Sequence, residues 1–134
     1  MQAQVSQPNT INQAFPHLQG QACMSLVTYK KSGAEVKTPV QFAQQGAVLY
    51  IMTIETTGKV KRIRNSNQVK VAPCKFNGEL TGPYEDAQAR FLSGEEVAVA
   101  RTALNRKYGM LRQVIILMNM LRGKNRIYIA VEPK

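Results

Sequence analysis

The sequence predicts one mainly β domain, a six-stranded antiparallel barrel with a few inserted helices. Three observations carry that expectation. At 134 residues the chain is long enough to bury a core and too short for two domains. Six short runs rich in β-branched and aromatic residues are separated by Gly, Pro, Asn and Ser turns. A short antiparallel meander also has to dispose of its edge strands, and closing on itself is the usual way.

Residues 1–10, rich in Gln, Asn and Ser with Pro8, show no periodicity and read as a mobile tail. Ile11, Phe15 and Leu18 at i, i+4, i+7 suit a short helix or turn packed by one face, limited by Pro16 and Gly20. Residues 1–20 are therefore a tail and a short helical segment ahead of a single domain at 21–134.

Strands are expected over 22–29, 35–43, 47–54, 68–76, 84–92 and 125–133. Lys31-Ser32-Gly33-Ala34 and Gln45-Gly46 turn the chain between the first three, as two hairpins in series. Pro39 interrupts the second strand. A proline removes a ladder donor, so it marks an edge, a bulge, or a place where something other than a strand approaches the backbone.

Residues 59–65 read as a short helix with Val60 and Ile63 facing the core and the cations facing out. A second helix, 94–107, has Ser93 and Glu96 spaced as a capping box. It carries Val97, Ala100 and Leu104 as its apolar stripe and stops at Gly109. Residues 110–121, apolar nearly all round and too short to cross a bilayer, read as a buried or interface helix.

The formal charge of +10 implies an anionic partner. Its distribution is more informative than its size. No charged residue precedes Lys30, whereas 59–75 carries six cations and no acid. Secretory and membrane-spanning patterns are missing, so a cytoplasmic protein is expected. Cys23 and Cys74 have neither a Cys-x-x-Cys spacing nor a histidine cluster, which leaves buried free thiols rather than a metal site.

The usual catalytic constellations are absent too. His17 is the single histidine, and it lies outside the strands. Glu95-Glu96 suits a helix start and Glu85-Asp86 a solvated strand edge. Tyr108 and Lys75 fit packing and surface charge better than acid–base work. If the protein is an enzyme, a cofactor supplies the chemistry.

The stretch 49–65, LYIMTIETTGKVKRIRN, gathers the features of an anion site: a strand end, two hydroxyls, a glycine, and a helix start loaded with Lys59, Lys61, Arg62 and Arg64. Lys59 and Arg62 at i, i+3 share one helix face, and Lys61 and Arg64 another. The pattern is neither a P-loop nor a dinucleotide fingerprint.

Taken with Thr38-Pro39-Val40, Leu49–Thr53, 57–65, 69–74, Thr81-Gly82-Pro83 and Arg106–Gly109, this stretch resembles the split-barrel flavin and deazaflavin oxidoreductases related to pyridoxamine 5'-phosphate oxidase. The deazaflavin-dependent subgroup is nearest in pattern. The likeness runs through residues 22–131. It implies a homodimeric six-stranded split barrel of the FMN-binding type, with deazaflavin coenzyme F-420 or FMN bound at the interface.

The resemblance places the ring system along Thr38, Pro39 and Val40. It places the ribityl phosphate on Thr53, Thr57, Gly58, Lys59 and Arg62, with Lys61 beside them. Its implied activity is hydride transfer between the cofactor and a small planar or conjugated organic substrate. Gln41 stands where relatives often carry an aromatic, and Ser66 where they often carry a proline.

Two other functions fit the residues: a flavin-binding carrier without turnover, and a nucleic-acid binder using 59–75. The second is weakened because aromatics do not alternate with the cations and no long basic helix is present.

Overall fold

Alternating apolar residues on the strand runs bury one face of each against the others. A computed structural model describes residues 14–109 and 125–134. The expected tail, Ile11 and the apolar stretch 110–121 lie outside the described residues.

After a 3-10 turn at Pro16–Leu18, the chain forms β1 (Cys23–Tyr29), β2 (Glu35–Gln41), β3 (Ala43–Gln45) and β4 (Val48–Ile54). Helix α1 (Gly58–Asn65), β5 (Gln68–Pro73), β6 (Glu85–Phe91), helix α2 (Glu95–Tyr108) and β7 (Arg126–Pro133) follow. All strands join one antiparallel sheet in the order β2-β1-β5-β6-β7-β4-β3.

The sheet has seven strands rather than six. The run expected as a single strand over 35–43 is divided at Phe42 into β2 and β3. The reason lies in α2. The Tyr108 hydroxyl accepts from the Phe42 N–H at 2.8 Å and reaches the Phe42 carbonyl at 2.6 Å, and the Lys107 ammonium donates to that carbonyl at 2.7 Å. With both polar groups of its backbone held by side chains, Phe42 has no need of a ladder partner.

The expected run of hairpins breaks at the same point. β2 pairs with β1 as one edge of the sheet, and the short β3 pairs with β4 as the other. A single residue thus joins opposite edges, which obliges the sheet to curl into a half-barrel. Pro39 falls on an edge strand, where a missing donor is tolerated.

Inside the curl, Met24, Leu26, Leu49, Ile51, Val69, Val71, Ile129 and Val131 pack together with Phe42. Phe15 and Leu18 join this core from the N-terminal turn, and Ile63 from α1. Val60 and Ile63 are buried as their spacing predicts, each stabilising the fold by roughly 1.5–3 kcal/mol.

Helix α2 covers the opposite face of β4 and β7. There Ala100 meets Tyr50, Tyr128 and Ala130, with Val97 and Leu104 at the margin. It stops at Gly109, whose positive φ of 68° is open to glycine without strain.

The expected capping box does not form. Gly94 is the N-cap and no side chain caps the helix. The Glu96 carboxylate is instead taken by Arg90, with two contacts of 2.8 Å, and Arg90 also holds Glu132 at 2.9 and 3.1 Å. A bidentate guanidinium outcompetes one backbone N–H for the same oxygens. Among the described residues, no helix is long and apolar enough to cross a membrane.

Candidate functional site

The corner after β4 is built from its threonines. The Thr57 N–H and hydroxyl both donate to the Ile54 carbonyl, at 3.0 and 2.9 Å, which tightens the turn out of the strand. With the Thr57 proton so used, the 3.2 Å contact between the Thr53 and Thr57 hydroxyls takes its proton from Thr53. Neither hydroxyl proton points outward. The two threonines shape the corner and leave the donors for an anion to the backbone and the cations.

Helix α1 begins immediately afterwards. Its first hydrogen bond runs from the Lys61 N–H to the Thr57 carbonyl at 3.4 Å, so the N–H groups of Gly58, Lys59 and Val60 have no partner within the helix. Arg62 folds back over this end. A Cβ built on Gly58 would stand 2.6 Å from Arg62 Nη1, so glycine is what lets the guanidinium lie against the helix start.

Arg62 Nε donates to the Thr28 hydroxyl at 2.6 Å. Thr28 is buried at the end of β1, on the same inward face as Met24 and Leu26. It is a residue of the candidate site that sequence reasoning missed. Its signal was a single hydroxyl ending an otherwise apolar alternation.

The cations of α1 have different surroundings. Lys59 is half-buried, and its ammonium is held below the usual 10.5, first by burial and then by the neighbouring Arg62 charge. Among the described residues, no carboxylate lies within ion-pair distance of Lys59, Lys61 or Arg62. Lys61 is exposed. Arg64 is committed elsewhere: it pairs with Glu55 at 3.6 Å and lies over the Phe91 ring at 5.6 Å.

On β2, Thr38 and Val40 are half-buried, with Val40 packed on the core, while Pro39 is exposed. Among the described residues, no hydrogen bond joins this strand to the corner. Thr28 brings the two together: it holds Arg62 and faces Val36 across the β1–β2 ladder, two residues from Thr38. The open edge of β2 and the α1 corner therefore share one end of the half-barrel.

The remaining candidates have structural surroundings. Tyr108 is fixed on the backbone of Phe42 and Ala22, and burial pushes its hydroxyl up to about 12, which keeps it protonated. Lys75 pairs with Glu79 at 3.4 Å on the surface. His17 is exposed in the 3-10 turn.

A Gly58 cradle, unpaired helix N–H groups and two uncompensated cations fit a phosphate-like dianion. The Arg62 head already sits against the positive end of a helix dipole, and an anion would relieve that repulsion.

No protein-family model matches the sequence, and comparison with curated proteins returns no relative. Solved structures do share its fold. The heme storage protein HutZ from Vibrio cholerae is 13% identical with a TM-score of 0.68, over 89% of this chain and 86% of that one. A FAD-binding protein from Mesorhizobium loti is 13% identical with a TM-score of 0.63, over 90% and 87%. A pyridoxamine 5'-phosphate oxidase candidate from Listeria innocua is 14% identical with a TM-score of 0.59, over 93% and 94%. At such identities the likeness establishes a split-barrel fold.

Proposed function

We infer that the protein is an oxidoreductase that binds a flavin-type cofactor, deazaflavin coenzyme F-420 or FMN, through its phosphate at the N-terminus of α1. One observation carries this reading: Lys59 and Arg62 crowd a helix start with no carboxylate among the described residues to balance them. The fold supports it, since structures sharing it include a FAD-binding protein.

Arg62 and Lys59 hold the phosphate together with the N–H groups of Gly58 and Lys59, while Thr53, Thr57 and Thr28 keep these donors aimed. The ring lies along the open edge of β2 at Thr38, Pro39 and Val40, where an unpaired strand edge offers backbone hydrogen bonds. Lys61, exposed on the next face of α1, serves the longer anionic tail of the deazaflavin. Once bound, the cofactor supplies hydride transfer to or from a small planar or conjugated organic substrate. The molecule acts as a homodimer, each subunit completing the cofactor site of the other.

The same corner serves a carrier without turnover equally well, and one feature favours that second reading. Among the described residues, the Thr53 and Thr57 hydroxyls at the corner have their protons engaged internally and offer none to a substrate.

Separate titrations with FMN, coenzyme F-420 and hemin, followed by absorbance and fluorescence, test the assignment. Binding of either flavin-type cofactor at about micromolar levels, about −8 kcal/mol, is expected. Binding of hemin alone overturns the reading. Reduction of a substrate panel by the reduced cofactor then separates enzyme from carrier.

A further inference from the structure

Two thiols that the proposed function does not use stand side by side. Cys23 opens β1, and Cys74 directly follows β5. Extending the ladder in which Met24 faces Pro73 sets Cys23 opposite Cys74, and the Cys74 N–H donates to the Cys23 carbonyl at 3.3 Å. Their sulfurs are 3.8 Å apart, and both residues are buried and reduced. Directly opposed residues on antiparallel strands have Cα atoms about 4.5–5.5 Å apart. That separation lies inside the roughly 4.4–6.8 Å range that a disulfide spans. Side-chain rotation therefore suffices to join the sulfurs, without moving either strand.

We propose that Cys23 and Cys74 are a peroxide-sensitive dithiol that closes to an intramolecular disulfide, pinning the start of β1 to the end of β5. The Cys23 sulfur attacks the peroxide: an S–O bond forms, the O–O bond breaks, and hydroxide leaves to become water. The Cys74 sulfur then displaces the oxygen from Cys23, forming the S–S bond and releasing a second water with the Cys74 proton. Two thiols lose two electrons and one peroxide gains them.

The two sulfurs differ in surroundings, which fixes the order of events. The two residues before Cys23 anchor a cation and a hydroxyl: Lys107 Nζ donates to the Gln21 carbonyl at 2.6 Å, and the Tyr108 hydroxyl to the Ala22 carbonyl at 2.7 Å. The donors gathered on the two residues beside it make Cys23 the attacking sulfur. Burial, and then the Cys23 contact, push the Cys74 thiol up to about 12, which keeps it protonated and leaves the first attack to Cys23. Burial also excludes bulky disulfides, leaving small peroxides as the oxidant class.

The test uses the reduced full chain and dilute hydrogen peroxide. Intact mass should fall by two hydrogens, both thiols should vanish from a denatured thiol count, and dithiothreitol should restore them. The thermal midpoint of the oxidised form should rise, because the bond closes a long loop. Cys74→Ala should leave a sulfenic acid on Cys23 that a dione reagent traps, whereas Cys23→Ala should leave Cys74 unlabelled. Two free thiols persisting while methionines gain oxygen, or disulfide-linked dimers on a non-reducing gel, would overturn the proposal. The mass measurement on the unmutated chain decides the matter even where a variant fails to fold.

Discussion

Helices α1 and α2 both carry cations at the rim of the same half-barrel, but their charges meet different surroundings. Around α2 the cations are tied to the protein: Lys107, which burial pushes down to about 8, is held by the Gln21 and Phe42 carbonyls with its ammonium 3.7 Å from the Phe42 ring centre, and Arg101 lies over Tyr128. Arg90 meets Glu96 at the first turn of α2 and Glu132 on β7. At α1, among the described residues, Lys59 and Arg62 have no carboxylate within ion-pair distance, and Arg62 donates to the Thr28 hydroxyl. Cations that close hydrogen bonds onto the protein hold a fold together. Cations left beside a helix start without a counter-charge, one of them Lys59, whose charge is weakened first by burial and then by Arg62, gain most from an external anion.

The sharpest way to break this contrast is to remove the α1 pair. Lys59→Ala with Arg62→Ala should weaken binding of a phosphate-bearing flavin by roughly 100-fold, the loss of about two charge-assisted contacts. Chemical denaturation should register the lost Arg62–Thr28 hydrogen bond, about 1–2 kcal/mol. An unchanged titration curve would place the phosphate elsewhere.

The opposite pattern is expected at α2. Tyr108→Phe strips the Phe42 N–H of its partner, while Lys107 still holds the carbonyl, and should lower stability by about 1–3 kcal/mol in urea unfolding, with cofactor affinity retained. If affinity falls and stability holds, the roles assigned to the two helices are exchanged.

A smaller effect comes from pH. Lys59 titrates below 10.5 in the folded chain, and an anion binds its charged form. Affinity should therefore be full near pH 7 and decline by a factor of about ten as pH rises through that lowered value. Lys59→Arg, which stays charged, should flatten the profile. In the ligand-free chain the sign is opposite: between the folded value and 10.5 the unfolded state binds the extra proton, so this residue makes stability rise with pH.

The smallest expected change is at Arg90. Its two carboxylate partners are well exposed, so Arg90→Ala should cost about 1 kcal/mol or less, and less still in high salt. Melting curves at two ionic strengths would show it. Burial-free pairing holds Glu96 below the ordinary carboxylate range, so its contribution is present above that range and is lost as pH falls through the lowered value.

Much of this molecule follows from local pattern. Strand runs, the buried Val60 and Ile63, the stripe of α2, its stop at Gly109 and the strand end, turn and helix start at 53–65 are all set by residues within a few positions of one another. Alternation, helical spacing and turn chemistry act over that range, and they are legible in one dimension. The edge position of Pro39 belongs with them, because a missing N–H restricts a strand wherever it folds.

Tertiary structure decided what depended on partners distant in sequence. The seventh strand exists because Tyr108 and Lys107, more than sixty residues away, hold the backbone of Phe42. Glu96 abandons a cap for Arg90 because β6 happens to run beside the helix start. Thr28 becomes the anchor of Arg62, and Cys23 the neighbour of Cys74, only when β1 takes its place between β2 and β5. Periodicity specifies which face of a strand is buried. Which strand lies alongside is settled by the competition of all the faces for one core, and that competition exists only in three dimensions.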